Sequence, residues 1–298
     1  MRQSVANAFE PEERLFRCGC GKTNCEVAHL RPLRDHIAML LRALVSCGVE
    51  EMLPGQGRGD ETWPSVIYPL QMAASLENVI ADPSFVDDSE AALWCETAWD
   101  RDVEDRREVS SYIAALTVFN FVWLAYEGAI GEAVGDGFTN DKVPVQGRKL
   151  LHAHAEIVDA LPSLPLLYRI SHHYCKGTGS LEIEADQIKN KYSLSGGAAA
   201  AELGRLFRNY VVHGDDPSPI YRGPDAAALY RFYAIAKMLL VLIQGIALIT
   251  LENGDRPVPL SATLDRDRER AQWLLSNLHL RDELWMGRDP LGSSTQGD

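Results

Sequence analysis

Residues 206–216 read Leu206-Phe207-Arg208-Asn209-Tyr210-Val211-Val212-His213-Gly214-Asp215-Asp216. Upstream, an alanine-rich run from Ala198 leads into this stretch. Downstream, Gly214 supplies a left-handed C-terminal cap, and Pro217 and Pro219 forbid continuation. The spacing therefore predicts a helix that opens near Ser195 and stops at Gly214, with Arg208 and His213 in its last turns. Five residues separate the two, about 140° of helical rotation, so they do not stack on one another. Asn209 lies one turn below His213 and can meet it at the i, i+4 spacing. A guanidinium fork beside an imidazole suits an anionic phosphodiester: the arginine holds phosphate and stabilises charge, and the histidine moves a proton.

Long apolar segments flank this helix on both sides. Val109 to Val134 shows a broad apolar face of Ile113, Leu116, Val118, Phe119, Val122, Trp123 and Tyr126, which predicts a central helix. Its polar exceptions, Asn120 and Glu127, either line a cleft or are satisfied buried groups. Asp225 to Leu251 contains the run Met238 to Ile249, which is shorter than the ~20 residues of a membrane span. Lys237 and Gln244 interrupt it, so it reads as a buried core helix, and no membrane association is expected. Further helices are predicted over Arg31 to Glu51, Trp63 to Ile80, Asp88 to Asp100, Gln146 to Leu161, the segment ending at Cys175, and Leu264 to Trp285. In the third of these, Leu93, Trp94 and Trp99 are expected to supply core bulk. Lys176 to Ser195 is polar and reads as a mobile excursion able to touch a phosphate backbone. The fold class is thus all-α, divided into an N-terminal region (1–100), a helical bundle (101–255) and a C-terminal amphipathic helix with tail (256–298).

Arg208-Asn209-Tyr210-Val211-Val212-His213 resembles the arginine-polar-x-x-x-histidine motif of the HEPN superfamily, the higher eukaryote and prokaryote nucleotide-binding domains. The resemblance spans roughly residues 103–253 and implies an HEPN-like helical bundle with an additional N-terminal helical region. It further implies a metal-independent endoribonuclease, with Arg208, His213 and Asn209 as its catalytic residues. Such proteins work as homodimers whose clefts receive both motif residues from both subunits. Many are toxins or antiviral defence effectors under an antitoxin or other regulatory partner, and others are silent modules that bind nucleotide or a partner protein. Some carry a tyrosine two residues after the histidine as a modification target; Asp215 stands there, so that control is not expected.

The net charge of −13 argues against broad adhesion to nucleic acid, so any RNA contact must be local. Arg205, Arg208, Arg222 and Arg231 are candidates for such a patch, or else ordinary solvated arginines. No signal-peptide pattern opens the chain, and six scattered cysteines fit a reducing compartment, hence a cytoplasmic protein. Three of these form the spacing Cys18-x-Cys20-x4-Cys25-x3-His29. Its four residues could close a structural zinc site, the alternative being unliganded thiols in an exposed loop; no cofactor is expected for catalysis. Gly21-Lys22-Thr23 is not a phosphate loop, because Phe16 occupies the position of the leading glycine. His152, His154, His172 and His173 lack the i, i+4 pairing with a nearby carboxylate that a helical zinc site needs.

Overall fold

The computed structural model describes residues 6–18, 20, 22, 25–54, 62–83, 91–134, 141–214, 226–259 and 268–281. Its helices, in chain order, are α1 (Glu10–Leu15), α2 (Leu33–Val49), α3 (Pro64–Ser75), α4 (Ala91–Trp94), α5 (Glu96–Val134) and α6 (Val143–Ala153). They continue with α7 (Ala155–Val158), α8 (Leu164–Tyr174), α9 (Ser180–Tyr192), α10 (Gly196–Val212), α11 (Ala226–Thr250) and α12 (Ala271–Asn277). Two short antiparallel ribbons accompany them: β1 (Ala6–Asn7) with β2 (Asn78–Val79), and β3 (Pro257–Pro259) with β4 (Arg268–Arg270). The chain is therefore mostly helical, as the periodicity predicts.

α11 is the axis of the fold. Its residues from Arg231 to Ala247 are buried without interruption, and α5, α8, α2, α1 and α12 pack around it. By length and composition alone, α5 and α11 could each cross a membrane; here the apolar surface of α11 is covered by the rest of the chain. The core joins Phe9 and Leu44 from the N-terminal region, Phe119 and Phe207 from the bundle, and Leu274 and Leu278 from the C-terminal region in one cluster. Edge-to-face aromatic contacts at its centre link α5, α10 and α11, with Phe119, Phe207 and Phe232 at centroid distances of 5.0 to 5.9 Å.

Several elements depart from expectation. The predicted break between a helix ending at Asp100 and one beginning at Val109 does not exist, and α5 runs unbroken for 39 residues. The charged stretch contains no Gly or Pro, and Arg101 meets Asp105 one turn on, so nothing in it stops a helix. Leu93 and Trp94 are 68% and 84% exposed, so they do not supply core bulk. Lys176 to Ser195 is no excursion either: α9 occupies most of it, burying Leu181, Ala185 and Ile188 at helical spacing beneath a polar exterior. The predicted helix over Gln146 to Leu161 divides at His154, whose φ of −116° and ψ of 38° separate α6 from α7. Of the predicted Leu264 to Trp285 helix, α12 forms the middle, a β-strand precedes it, and the ends fall outside the described residues.

The polar interruptions of α11 are docking points. Lys237 is fully buried; its Nζ reaches Glu12 of α1 at 2.6 Å and donates to the Arg31 carbonyl. One to two turns on, Gln244 accepts a hydrogen bond from His36 Nε2 of α2 at 2.6 Å and donates to the Leu275 carbonyl of α12. Its amide also lies 3.3 Å from His279 Nδ1, and the two imidazoles sit 6.1 Å apart. A long apolar helix thereby holds the N- and C-terminal segments by specific polar contacts, each of these buried side chains having at least one partner.

This network makes stability acid-sensitive. Burial, reinforced by the neighbouring His279, Lys237 and Arg31 charges, holds His36 well below the ordinary imidazole value. Burial likewise holds His279 down at about 4, against an opposing hydrogen bond with the Pro162 backbone. Unfolded histidine titrates near 6.5, so between about pH 6.5 and 4 the unfolded chain binds protons that the folded chain refuses. Their contribution is complete above that window and is lost as pH falls through it. His279 alone accounts for about 3 kcal/mol across the window, and about 2 kcal/mol by pH 5. Guanidinium unfolding at pH 7 and pH 5 should show a loss larger in the parent than in His279→Leu by roughly that second figure. Equal losses in the two would contradict the assignment.

Candidate functional site

The helix carrying the motif is held at its start, middle and end by different means. At its N-terminus, the Asp159 carboxylate accepts the backbone N–H groups of Gly196 at 3.0 Å and Gly197 at 2.7 Å, a cap supplied from beyond α7. The alanines Ala198 to Ala201 are buried on every side, which only such small side chains allow so close to the neighbouring helices. At Gly204 an added Cβ would lie 3.0 Å from Leu239 of α11 and 3.6 Å from Trp123 of α5, so glycine sets that spacing. Glu202, 1% exposed, is clamped between Arg148 of α6 at 3.0 Å and both nitrogen faces of Arg205 at 2.7 and 3.1 Å.

The C-terminal end is as the sequence predicts. His213 follows the last helical residue, its N–H bonding the Asn209 carbonyl at 2.9 Å, and Gly214 takes a φ of +76°. Asp215, Asp216 and Arg222 lie outside the described residues. His213 is exposed, whereas Arg208 and Asn209 are half-buried.

Asn209 and His213 line the same cleft, about 200 Å³ in volume, between α9 and α10. Ser180 and Glu184 of α9 complete its polar lining, and Leu181, Leu206 and Tyr210 its apolar floor. Arg208 is not part of that lining. It faces α5, where its charge pulls the Glu127 carboxyl downward; burial is the stronger influence and leaves that group raised. The helical rotation between Arg208 and His213 thus persists in the fold, and one chain presents them on two flanks of α10. The chain matches no protein-family model, no curated protein and no solved structure.

Two of the candidate patch arginines around the motif are engaged elsewhere. Arg205 is consumed by Glu202, and Arg231 is 2% exposed within the core. Asn120 is exposed on α5 away from the cleft lining, whereas Glu127 is the group that Arg208 senses. Ser180 and Glu184 were not legible as site residues, because a polar segment with glycines conceals its helical period. The signal that could have found them is the Leu181, Ala185, Ile188 spacing.

In the N-terminal segment, Cys18, Cys20 and Cys25 place their sulfurs within 4.8 Å of one another, close enough to hold a metal ion. His29 does not join them. Its backbone closes a turn on Cys25 and Glu26 and then pairs with the C-terminal segment through Arg281 N–H at 2.9 Å, next to the Leu30–Leu280 bridge. The Cys20 backbone N–H points to Cys18 Sγ at 3.4 Å, and the Ala28 backbone N–H leads a set of hydrogen bonds that bring the Cys25 thiol down to about 7. Tetrahedral zinc with Zn–S near 2.3 Å needs sulfurs roughly 3.8 Å apart, which this grouping permits. His172 pairs with Asp186 at 2.9 Å and His152 lies 3.4 Å from the Ser195 hydroxyl; neither belongs to a metal-ligating group among the described residues.

Proposed function

We propose that this protein is a metal-independent endoribonuclease of HEPN type, a toxin or antiviral defence effector that acts as a homodimer. The observation that carries the reading is the cleft in which His213 and Asn209 meet at the exposed C-terminal end of α10, with Arg208 on the adjoining flank. An imidazole at such an open cleft can reach a polymer that a buried histidine could not. Because Arg208 and His213 face different sides, one chain does not wrap both around one phosphate; a second copy packed across α10 closes the site, as a twofold composite cleft requires.

Cleavage then proceeds through the ribose 2′-hydroxyl. A histidine acting as base takes that proton while the oxygen attacks the adjacent phosphorus. Arg208 stabilises charge on the pentavalent phosphorane, and Asn209 orients the phosphodiester. The bond to the 5′-oxygen breaks, a protonated histidine supplies its proton, and the products are a 2′,3′-cyclic phosphate and a 5′-hydroxyl. No metal takes part. Incubation of the protein with RNA and with DNA of matched sequence in EDTA tests this: RNA is cut and DNA is not. Cleavage of DNA, or strict dependence on magnesium, contradicts the mechanism.

The divergence of Arg208 and His213 favours a second reading, a silent HEPN-like module that binds nucleotide or a partner protein. A dimer with both residues far from its twofold axis would select it. For the thiol group we assign a structural zinc held by Cys18, Cys20 and Cys25, the fourth position being filled by a donor other than the His29 turn as it stands. One equivalent of zinc per chain is expected after dialysis, and none in Cys18→Ser/Cys25→Ser; a metal-free parent purified with zinc present refutes it.

A further inference from the structure

In a chain of net charge −13, a surface cluster of basic side chains stands apart. One lies on α8 and the turn that follows. Arg169, His172, His173 and Lys176 recur at i, i+3, i+4 and i+7, which places four basic side chains along one helical face. They line a cavity of about 450 Å³ against α9. The one carboxylate in that lining, Asp186, is engaged with His172 at 2.9 Å. Arg169 and Lys176 are exposed and form no ion pair among the described residues. Complementing the helix dipole accounts for basic groups in the last turn only, and Arg169 lies more than a turn inside Tyr174.

The second feature is aromatic. Tyr168 stacks on the His172 ring at a centroid distance of 6.0 Å and an interplanar angle of 30°. Tyr168 and Arg169 also border an adjoining cavity of about 290 Å³ that reaches Asp159 and Gly196. The two cavities share these walls and form one groove along α8 toward the start of α10. α9 is the partition between this groove and the His213 cleft: Asp186 faces the former, Ser180 and Glu184 the latter.

A stacked aromatic pair set among exposed cations is what an unpaired nucleic-acid strand engages, bases on the rings and phosphates on the charges. We infer that the α8–α9 groove is a single-stranded RNA subsite, with Arg169 and Lys176 on backbone phosphates and Tyr168 supplying a stacking face. The identity of the polymer as RNA rests on the ribonuclease reading. The groove holds the strand on one side of α9 and the cleft cuts on the other.

Fluorescence anisotropy with a 2′-O-methyl RNA 12-mer, which lacks the attacking hydroxyl, separates binding from cleavage. Arg169→Gln/Lys176→Gln should lower the slope of log affinity against log salt by about 1.4, because two backbone phosphates are then no longer neutralised by the protein. The control Arg42→Gln/Arg107→Gln removes the same charge from exposed positions on α2 and α5 and should bind as the parent does. Tyr168→Ala should weaken binding about fivefold or more, and Tyr168→Phe should restore it. An unchanged slope in the groove variant, an equal loss in the control, or a parent that does not bind RNA overturns the inference. Failure of the catalytic reading looks different: a parent that binds in the groove and leaves unmodified RNA intact.

Discussion

Glu12→Ala is expected to lower the unfolding free energy by about 3–5 kcal/mol, because it strands the Lys237 ammonium in the centre of the core. Both side chains are at most 1% exposed, and the ion pair of 2.6 Å is the charge that compensates Lys237. The remaining contacts of Nζ, the Arg31 carbonyl and the Phe16 ring at 4.4 Å from it, cannot neutralise a cation. Burial already pushes the Lys237 pKa down against the attraction of Glu12. Removing both charges is a different experiment. Glu12→Leu/Lys237→Met should recover most of the loss, since replacing a buried pair with apolar groups of similar size is often nearly neutral. Guanidinium unfolding of the three proteins provides the comparison. A Glu12→Ala variant within about 0.5 kcal/mol of the parent would mean that α1 does not dock on α11 as described.

His213→Ala should reduce RNA cleavage by about 10²- to 10⁴-fold, the usual contribution of a positioned general acid or base. The thermal midpoint should stay where it is, because the side chain is exposed. Arg208→Lys distinguishes the role of its partner: it keeps the charge and removes the planar fork, so a large loss assigns Arg208 to bidentate phosphate recognition rather than to a general field. Cleavage by His213→Ala at the parent rate would place the chemistry elsewhere.

The motif helix was legible to within a residue at each end, because its signals are local: small residues, a capping glycine, prolines beyond. α11 was legible for its apolar length, and Lys237 and Gln244 were visible as interruptions. Their partners were not. Glu12 and His36 lie more than two hundred residues away, and a single sequence carries no signal joining a charge on one short helix to a lysine on another. The three thiols come together as their spacing suggests, yet His29, only four residues beyond Cys25, is not in that group, and its carbonyl accepts the Arg281 N–H of the C-terminal segment, a contact no local spacing announces. α9 escaped for another reason, its apolar stripe being too thin to stand out from glycines and charges.

The central claim is chemical, and the ends of the RNA products test it most directly. RNA cut by the purified protein in EDTA should carry 2′,3′-cyclic phosphate on one fragment and 5′-hydroxyl on the other, with neither appearing in the His213→Ala reaction. Fragments bearing 5′-phosphate and 3′-hydroxyl, or cyclic ends produced equally by His213→Ala, would contradict attack by the ribose hydroxyl at this cleft.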